Sequence, residues 1–484
     1  MLILNCQSKE NVFSSTEEMK TLCHSFDNLK IYEKDLDTAI TALDFFFDYN
    51  YQDLSILTEE NAEEYVSNPI NIFRMIERLS YGIEDLNPSL GKLRLHQNIL
   101  SEEMNVSKKE LETAGRSLLE LQQTFQLDVK KLSQGIIQDI KSNSELSGED
   151  LAALGDLAFT DKSFDTSFDF LKAATLSESL SENTKTYIEG EVIPKVIKTH
   201  DETLLKKGSR GADWRTFDQP LSKERPKLKG KVDKVKLFEP DLPYFESREI
   251  SQNLCRGENL RSPQDDLGTK CTWLRNSPYL KLAPFKLEIL NEIRFQISVI
   301  HDFLSEKQIK IFLDYSNQTH SLKESVIEVP QARENPSNIR TSKQTWLPEN
   351  LLSHDSVLKN IELATKLRPY FDELKAEKFQ VVNYGIGGVY KTHYDTLDVL
   401  DGPRKATFMI YLTDVVAGGS TVFPFLGLGV NPEKGKAVFW QNLDEQDQVE
   451  KLSFHGGCPV IKGSKWIANK WLHSQFTNHN KCNI

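Results

Sequence analysis

Leu22, Phe26, Leu29, Leu36, Ile40, Leu43 and Phe47 fall on successive a and d positions of a heptad pattern broken only by Glu33. A stripe of that kind buries best against a second helix, from this chain or a twin, although one amphipathic helix on its own core satisfies it too. Asn68-Pro69 ends the run, and a new helical pattern starts near Asn71 with Phe73, Met75, Ile76 and Leu79. Helical periodicity returns over 107–124 and 128–141. Ser147 followed by Asp150 is a variant capping box. Leu154, Gly155, Phe159, Phe164, Phe168 and Ala173 then predict two short antiparallel helices of the tetratricopeptide kind, and Pro194 interrupts the next helical pattern.

Beyond about Pro284 the period changes to that of short strands separated by turn residues, as in FQVVNYG, ATFMIYLTDV, KAVFWQNL and CPVIKG. This spacing fits a double-sheet jelly roll, a double-stranded β-helix, with helices near 305–314 and 356–375 packed outside it. Residues 206–236 are crowded with Lys and Arg, interspersed with Gly208, Gly211, Pro220, Pro226 and Gly230, and read as an exposed linker or a docking segment for an acidic partner. The expected fold class is α+β and multidomain. A helical N-terminal domain with a coiled-coil region covers 1–146, a truncated tetratricopeptide-like pair 147–205, the basic linker 206–245 and the jelly roll 246–484.

Composition narrows the function classes. With 59 basic and 71 acidic residues the formal charge is −12, which argues against nucleic acid as a global partner. No run of about 18 apolar residues occurs, so no membrane span is expected. The start, MLILNCQSKENVF, has too short an apolar run and no basic region for a signal peptide. The chain is therefore mature, incomplete at its start, or outside the secretory route, whereas the sequons Asn105-Val-Ser and Asn317-Gln-Thr point towards that route. Among six cysteines, Cys255 and Cys271, and Cys458 and Cys482, are spaced to close two loops worth about 3 kcal/mol each. Six reduced, partly buried thiols fit as well.

The densest chemistry lies in Tyr-Lys-Thr-His393-Tyr-Asp395. On a strand, residues i and i+2 face the same way, so one imidazole and one carboxylate meet at a common point. A third ligand from a distant strand, His455, completes a facial triad that leaves positions open on iron(II); structural zinc would want four closed ligands. Lys465 follows His455 by ten residues and can pair with the distal carboxylate of a 2-oxo acid. Gly418-Gly419-Ser-Thr421 is a tight turn into a strand that brings the Thr421 hydroxyl to the same pocket.

NYGIGGVYKTHYD, YLTDVVAGGSTVFP, KGKAVFWQNL and HGGCPVIKGSKWIANKWLH, in that order and spacing, resemble the catalytic domain of animal prolyl 4-hydroxylase α subunits. LCRGENL resembles another segment of the family, and SNPINIFRMIERL and LQQTFQLDVKKLSQG resemble its N-terminal dimerisation domain. The resemblance implies an Fe(II)/2-oxoglutarate-dependent dioxygenase that converts C4 of peptidyl proline to hydroxyproline, with O2 consumed, succinate and CO2 released, and ascorbate as rescuer of oxidised iron. It implies His393, Asp395 and His455 as iron ligands, and Lys465, Tyr384 and Thr421 as the 2-oxoglutarate pocket. Arg404, Trp471 and His473 would surround the peptide proline, with Arg340 and Ser342 on a mobile substrate loop. Cys255–Cys271 and Cys458–Cys482 would be intrachain disulfides. The implied setting is the endoplasmic reticulum lumen, in an α2β2 tetramer with protein disulfide isomerase as β subunit.

The chain departs from the family in its peptide-binding domain. The second helical unit is shortened, and TKTYIEGEVIPKVIKTHDE offers only Tyr187 to line a groove. Polyproline II chains dock on aromatic-lined grooves, so peptidyl proline is expected as substrate rather than collagen. No retention signal is legible in HNKCNI, which makes residence depend on the partner, and Phe425 stands where family members often have an acidic residue. The alternative to an enzyme is a non-catalytic or differently specific subunit of the disulfide-isomerase complex; the intact ligand set argues for catalysis.

Overall fold

The computed structural model describes residues 19–20, 61–90, 107–138, 140–207, 244–263, 266, 269–291, 295–318, 322–325, 340–348, 354–367, 377–396 and 403–473. The heptad stripe of 22–47, nearly all of the basic linker, and Cys482 lie outside this set. The chain forms two compact units, divided in sequence at 235/236.

In the first unit the helices are α1 (Ala62–Val66), α2 (Pro69–Leu90), α3 (Lys108–Phe125) and α4 (Val129–Ser133). Pro69 opens α2, where its missing N–H costs nothing, and the Asn68 carboxamide oxygen accepts from the Ile70 N–H at 2.9 Å. The expected helix over 128–141 is corrected. After α4 the chain turns at Gly135, whose φ of +73° suits glycine, into a hairpin of β1 (Ile136–Ile137) and β2 (Ile140–Lys141). The pair α5 (Gly148–Thr160) and α6 (Phe164–Thr175) starts on the foreseen capping box, with Ser147 and Asp150 bonded reciprocally. Gly155 permits the close approach of the two helices, because a Cβ there would meet Leu171 Cγ at 2.7 Å.

Pro194 does not end the next helix, contrary to expectation. Helix α7 (Glu182–Tyr187) passes through a π-helical turn, Ile188–Val192, into α8 (Ile193–Lys207). Proline has no N–H and its ring crowds the carbonyl four residues earlier; widening the preceding turn accommodates both.

The second unit begins with α9 (Tyr244–Cys255), β3 (Lys270–Leu274), α10 (Pro278–Leu282), β4 (Phe285–Asn291), β5 (Ile297–His301), α11 (Glu306–Gln318), β6 (Lys323–Glu324), β7 (Lys343–Leu347) and α12 (His354–Thr365). The strands that follow are β8 (Phe379–Tyr384), β9 (Tyr390–His393), β10 (Arg404–Tyr411), β11 (Ala417–Gly418), β12 (Thr421–Phe423), β13 (Leu428–Val430), β14 (Ala437–Gln441), β15 (His455–Gly457), β16 (Val460–Lys462) and β17 (Lys465–His473). A nine-stranded antiparallel sheet has the order β3-β4-β5-β14-β10-β17-β8-β7-β6, and a four-stranded sheet the order β13-β12-β15-β9.

Period-two alternation divides the large sheet into two faces. Phe379, Val381, Ala406, Phe408, Ile410, Trp466 and Ala468 pack outward on Ile309 and Phe312 of α11 and Val357, Leu358 and Ile361 of α12 in one buried cluster. Each of the large side chains contributes roughly 1.5–3 kcal/mol of burial. The other face carries Tyr384, Thr407, Met409, Tyr411, Lys465, Asn469, Trp471 and His473, held by the registers Thr407↔Trp471, Met409↔Asn469 and Lys465↔Tyr384. The helices thus clamp one side of the sheet so that the other side can carry polar chemistry.

Candidate active site

His393 and His455 are cross-strand partners in the β9–β15 pair. Asp395 follows β9, and its Oδ1 lies 3.4 Å from His393 Nε2 while its Oδ2 lies 3.7 Å from His455 Nε2. Among the described residues these three side chains form the one cluster of metal-ligating groups, with all ligand atoms within 4.8 Å of one another. Each imidazole places Nδ1 at 2.8 Å from a backbone carbonyl, that of Lys391 for His393 and of Ser453 for His455. The carbonyls can only accept, so Nδ1 carries the proton and Nε2 keeps its lone pair for a cation.

The electrostatics suit that role. Burial alone would raise the Asp395 carboxyl, but His455, His393 and Arg404 outweigh it and hold the group well below the usual carboxylate range. Burial, with His393 beside it, pushes His455 down to about 4. The neutral ring is packed by Trp440, 4.7 Å between centroids, and by Phe423 at 5.7 Å. Tyr390 stacks on His393 at 3.6 Å. Two imidazole nitrogens and one carboxylate, in a cradle closed by aromatic rings on several sides, match the donor set of a nonhaem iron(II) centre rather than a closed zinc site.

Lys465 opens β17 and is buried, 3% exposed. Its Nζ lies 5.4 Å from the Tyr384 ring centroid and 5.6 Å from that of Tyr411. No described carboxylate pairs with it, and burial lowers it to about 7. Glycines make room for it: a Cβ on Gly457 would come to 3.5 Å from Nζ, and one on Gly419 to 3.4 Å from Cδ. Thr421 is present as expected, but its Oγ1 accepts from the Tyr411 hydroxyl at 2.7 Å.

Arg404, Trp471 and His473 are together at the far end of β17, joined by a residue that no motif announced. Glu377 takes Arg404 Nε and Nη2 at 2.6 Å each, and His473 Nε2 lies 2.8 Å from its Oε1. The Lys470 ammonium also donates to the Glu377 carbonyl. Burial would raise Glu377, yet the bonds from His473 and Arg404 more than offset this and keep it lowered. The guanidinium lies 3.7 Å over the Trp471 ring, and Trp346 stands 6.1 Å beyond. Arg340 stacks at 4.6 Å on Tyr390, with its Nε bonded to Ser342 Oγ at 3.0 Å.

The disulfide expectation is corrected: Cys255 is bonded to Cys458, and Cys271 is a free, exposed thiol on the edge strand β3. Cys255 ends α9, which lies against β13, where a Cβ on Gly429 would be 3.8 Å from the Leu254 carbonyl oxygen. The fold brings that helix end to the strand of His455, across 203 residues of sequence. Tyr390, Trp440, Thr407 and Asn442 also went unforeseen; for Tyr390 alone a signal existed, its place three residues before His393.

Residues 379–473 match the 2OG-Fe(II) oxygenase superfamily, so the second unit carries a 2OG-Fe(II) oxygenase domain. Residues 15–139 match the prolyl 4-hydroxylase alpha-subunit, N-terminal region. From one end to the other the chain resembles prolyl 4-hydroxylase alpha subunits. It is 26% identical to subunit alpha-1 of Rattus norvegicus, over 98% of this chain and 96% of that one. It is 27% identical to subunit alpha-2 of Gallus gallus, over 96% and 93%. Among solved structures, the 2OG complex of a viral collagen prolyl hydroxylase from Paramecium Bursaria Chlorella virus-1 aligns at 28% identity and TM-score 0.28, over 36% of this chain and 94% of that chain.

Proposed function

We propose that the protein is a 2-oxoglutarate-dependent hydroxylase of C4 in peptidyl proline, working as the alpha subunit of a complex with a disulfide-isomerase beta subunit. The observation that carries this is the convergence of His393, Asp395 and His455 next to a buried Lys465 that no described carboxylate pairs with, in a chain similar to prolyl 4-hydroxylase alpha subunits over nearly its full length. When bound, iron(II) with 2-oxoglutarate and O2 supplies the oxidation: the cosubstrate leaves as succinate and CO2, and one oxygen atom enters the C4–H bond of proline.

The chain's own residues bind, orient and exclude water. His393, Asp395 and His455 hold the metal. Lys465, with Tyr384 and Thr421 beside it, receives the distal carboxylate of 2-oxoglutarate. Trp440, Phe423 and Tyr390 line the metal site with rings that keep water from it. Arg404 and His473, fixed by Glu377, frame the peptide with Trp471, whose buried Nε1–H has no acceptor among the described residues and would donate to a peptide carbonyl. The two antiparallel sheets are the halves of a jelly roll. The helix pair α5–α6 with α7 and α8 forms a reduced peptide-binding domain between the N-terminal dimerisation region and the linker. The shortened second unit, in which 184–202 offers only Tyr187 to line a groove, favours short proline peptides over collagen. Residence in the endoplasmic reticulum lumen, ascorbate dependence and an α2β2 assembly belong to the same proposal; no described helix is long and apolar enough to cross a membrane.

Turnover of the chain coexpressed with disulfide isomerase tests this, following succinate and a one-oxygen mass gain on (Pro-Pro-Gly)n and on short non-collagen proline peptides. Hydroxyproline on the short peptides, absent with His393→Ala, is the expected result. Succinate no higher than with His393→Ala, in protein shown to hold iron, would leave a non-catalytic subunit.

A further inference from the structure

One polar chain on the inward face of the large sheet has no part in the reading above. Asn442 follows β14 and is fully buried, and Thr407, in the middle of β10, is 1% exposed. Asn442 Nδ2 donates to Thr407 Oγ1 at 2.9 Å, and Thr407 Oγ1 donates to Asp395 Oδ2 at 2.7 Å. The Asn442 backbone is held on both sides: its main-chain N–H is bonded to the Lys405 carbonyl at 2.8 Å, and its main-chain carbonyl accepts from the Glu450 N–H at 2.9 Å.

The direction of these bonds follows from what each group can do. A threonine hydroxyl has one proton and two acceptor sites. With an amide N–H already aimed at its oxygen, the hydroxyl proton must go elsewhere, and the ionised Asp395 oxygen is the acceptor within reach. The opposite amide orientation would offer Thr407 an oxygen and draw that proton away from Asp395. Such a bond to a carboxylate is charge-assisted and stronger than a neutral one. It distinguishes two otherwise equivalent oxygens: Oδ2 is engaged by the hydroxyl, and Oδ1 is left facing His393 Nε2. A carboxylate with both oxygens free can rotate about its bond or close on a cation with both at once.

We propose that Asn442 and Thr407 act as a relay of positioning residues that fixes the Asp395 carboxylate and determines which of its oxygens is offered to the metal. This rests on the reading of His393, Asp395 and His455 as the ligands. Partners at this remove from a metal typically govern its affinity by 10–100-fold.

The test is a calorimetric titration of metal-free, full-length protein, in its disulfide-isomerase complex, with cobalt(II), together with the visible spectrum of the bound ion. Thr407→Val keeps the shape and removes the hydroxyl; it should weaken cobalt binding by about 10–100-fold and alter the spectrum. Thr407→Ser, which restores the hydroxyl, should stay within about threefold of wild type, and Asn442→Leu should fall between the two. Thr407→Val with wild-type affinity and spectrum would overturn the relay while leaving the metal centre intact. A loss in Thr407→Ser as large as in Thr407→Val would also overturn it, assigning the effect to packing. Wild-type protein that took up no cobalt would overturn the metal centre and the relay together. Should Thr407→Val not fold, Asn442→Leu decides: weakened cobalt binding at an unchanged melting temperature supports the relay, and unchanged binding overturns it.

Discussion

Lys465 and Arg404 both lie on the inward face of the large sheet and both are nearly buried, yet they are held in opposite ways. Arg404 has a two-pronged carboxylate partner in Glu377 and an aromatic face beneath it in Trp471. Lys465 has two tyrosine rings near it and, among the described residues, no anion, and burial lowers its pKa to about 7. A buried charge with a complete set of partners holds structure together. A buried charge without them is a place kept for a ligand, because leaving it bare costs folding free energy that nothing in the protein returns. The Arg404 guanidinium is thus part of a connected Arg404–Glu377–His473 unit rather than a free arm.

The largest effect expected from breaking this contrast is on stability. Arg404→Met strips Glu377 of its main partner inside the protein and should destabilise the domain by about 3–5 kcal/mol, read as a lowered denaturant midpoint. Lys465→Met should do the reverse to the metal- and cosubstrate-free protein, raising its melting temperature by removing an unpaired buried charge. The same variant should weaken 2-oxoglutarate binding by roughly 10–100-fold, since a charge-assisted bond contributes about 1.5–3 kcal/mol. A Lys465→Met protein that melts earlier than wild type would mean that the ammonium already has a partner.

Acidity sharpens the comparison further. Only protonated Lys465 attracts a carboxylate, so KM for 2-oxoglutarate should rise with pH above about 7, approaching tenfold per unit. The unfolded chain, with an ordinary lysine, binds the proton that folded Lys465 has released, so without cosubstrate stability should increase as pH rises from about 7 towards 10.5. Glu377 works in the same direction at lower pH: its folded pKa lies below the ordinary 4.5, so its contribution is present above that pH and is lost as pH falls through the depressed value. Glu377→Gln, which leaves the Arg404 guanidinium without its carboxylate, should lower the melting temperature as well and flatten the acid limb of its pH profile.

Local rules made much of this legible in advance. His393 and Asp395 could be paired because i and i+2 on a strand share a face, and α2 and α5 could be started because Asn68-Pro69 and Ser147–Asp150 carry their own capping chemistry. Lys465 was singled out by its place ten residues after His455. What escaped depends on neighbours distant in sequence. Glu377 precedes β8 in a stretch without pattern, and Thr407 and Asn442 look like ordinary strand residues until β10 and β14 are laid side by side. The cysteine pairing went wrong for the same reason, since sequence spacing favours short loops while Cys255 and Cys458 are brought together by α9 and the strand of His455. Pro194 misled in the opposite sense: its local prohibition is real, but one widened turn absorbs it.

The strand β17 carries Lys465 at one end and Trp471 and His473 at the other, all on one face. Because the side chains of a strand alternate, inserting or deleting a single residue between these ends would turn one group to the helix-covered side of the sheet. A change of two residues keeps both groups on one face and alters the span between the two ends by about 7 Å, whereas a change of one does so only where a β-bulge absorbs it, as the β10–β17 pair does beside Arg404. The distance between Lys465 and the Trp471–His473 pair is in that sense a discrete variable, written in the parity of a single strand.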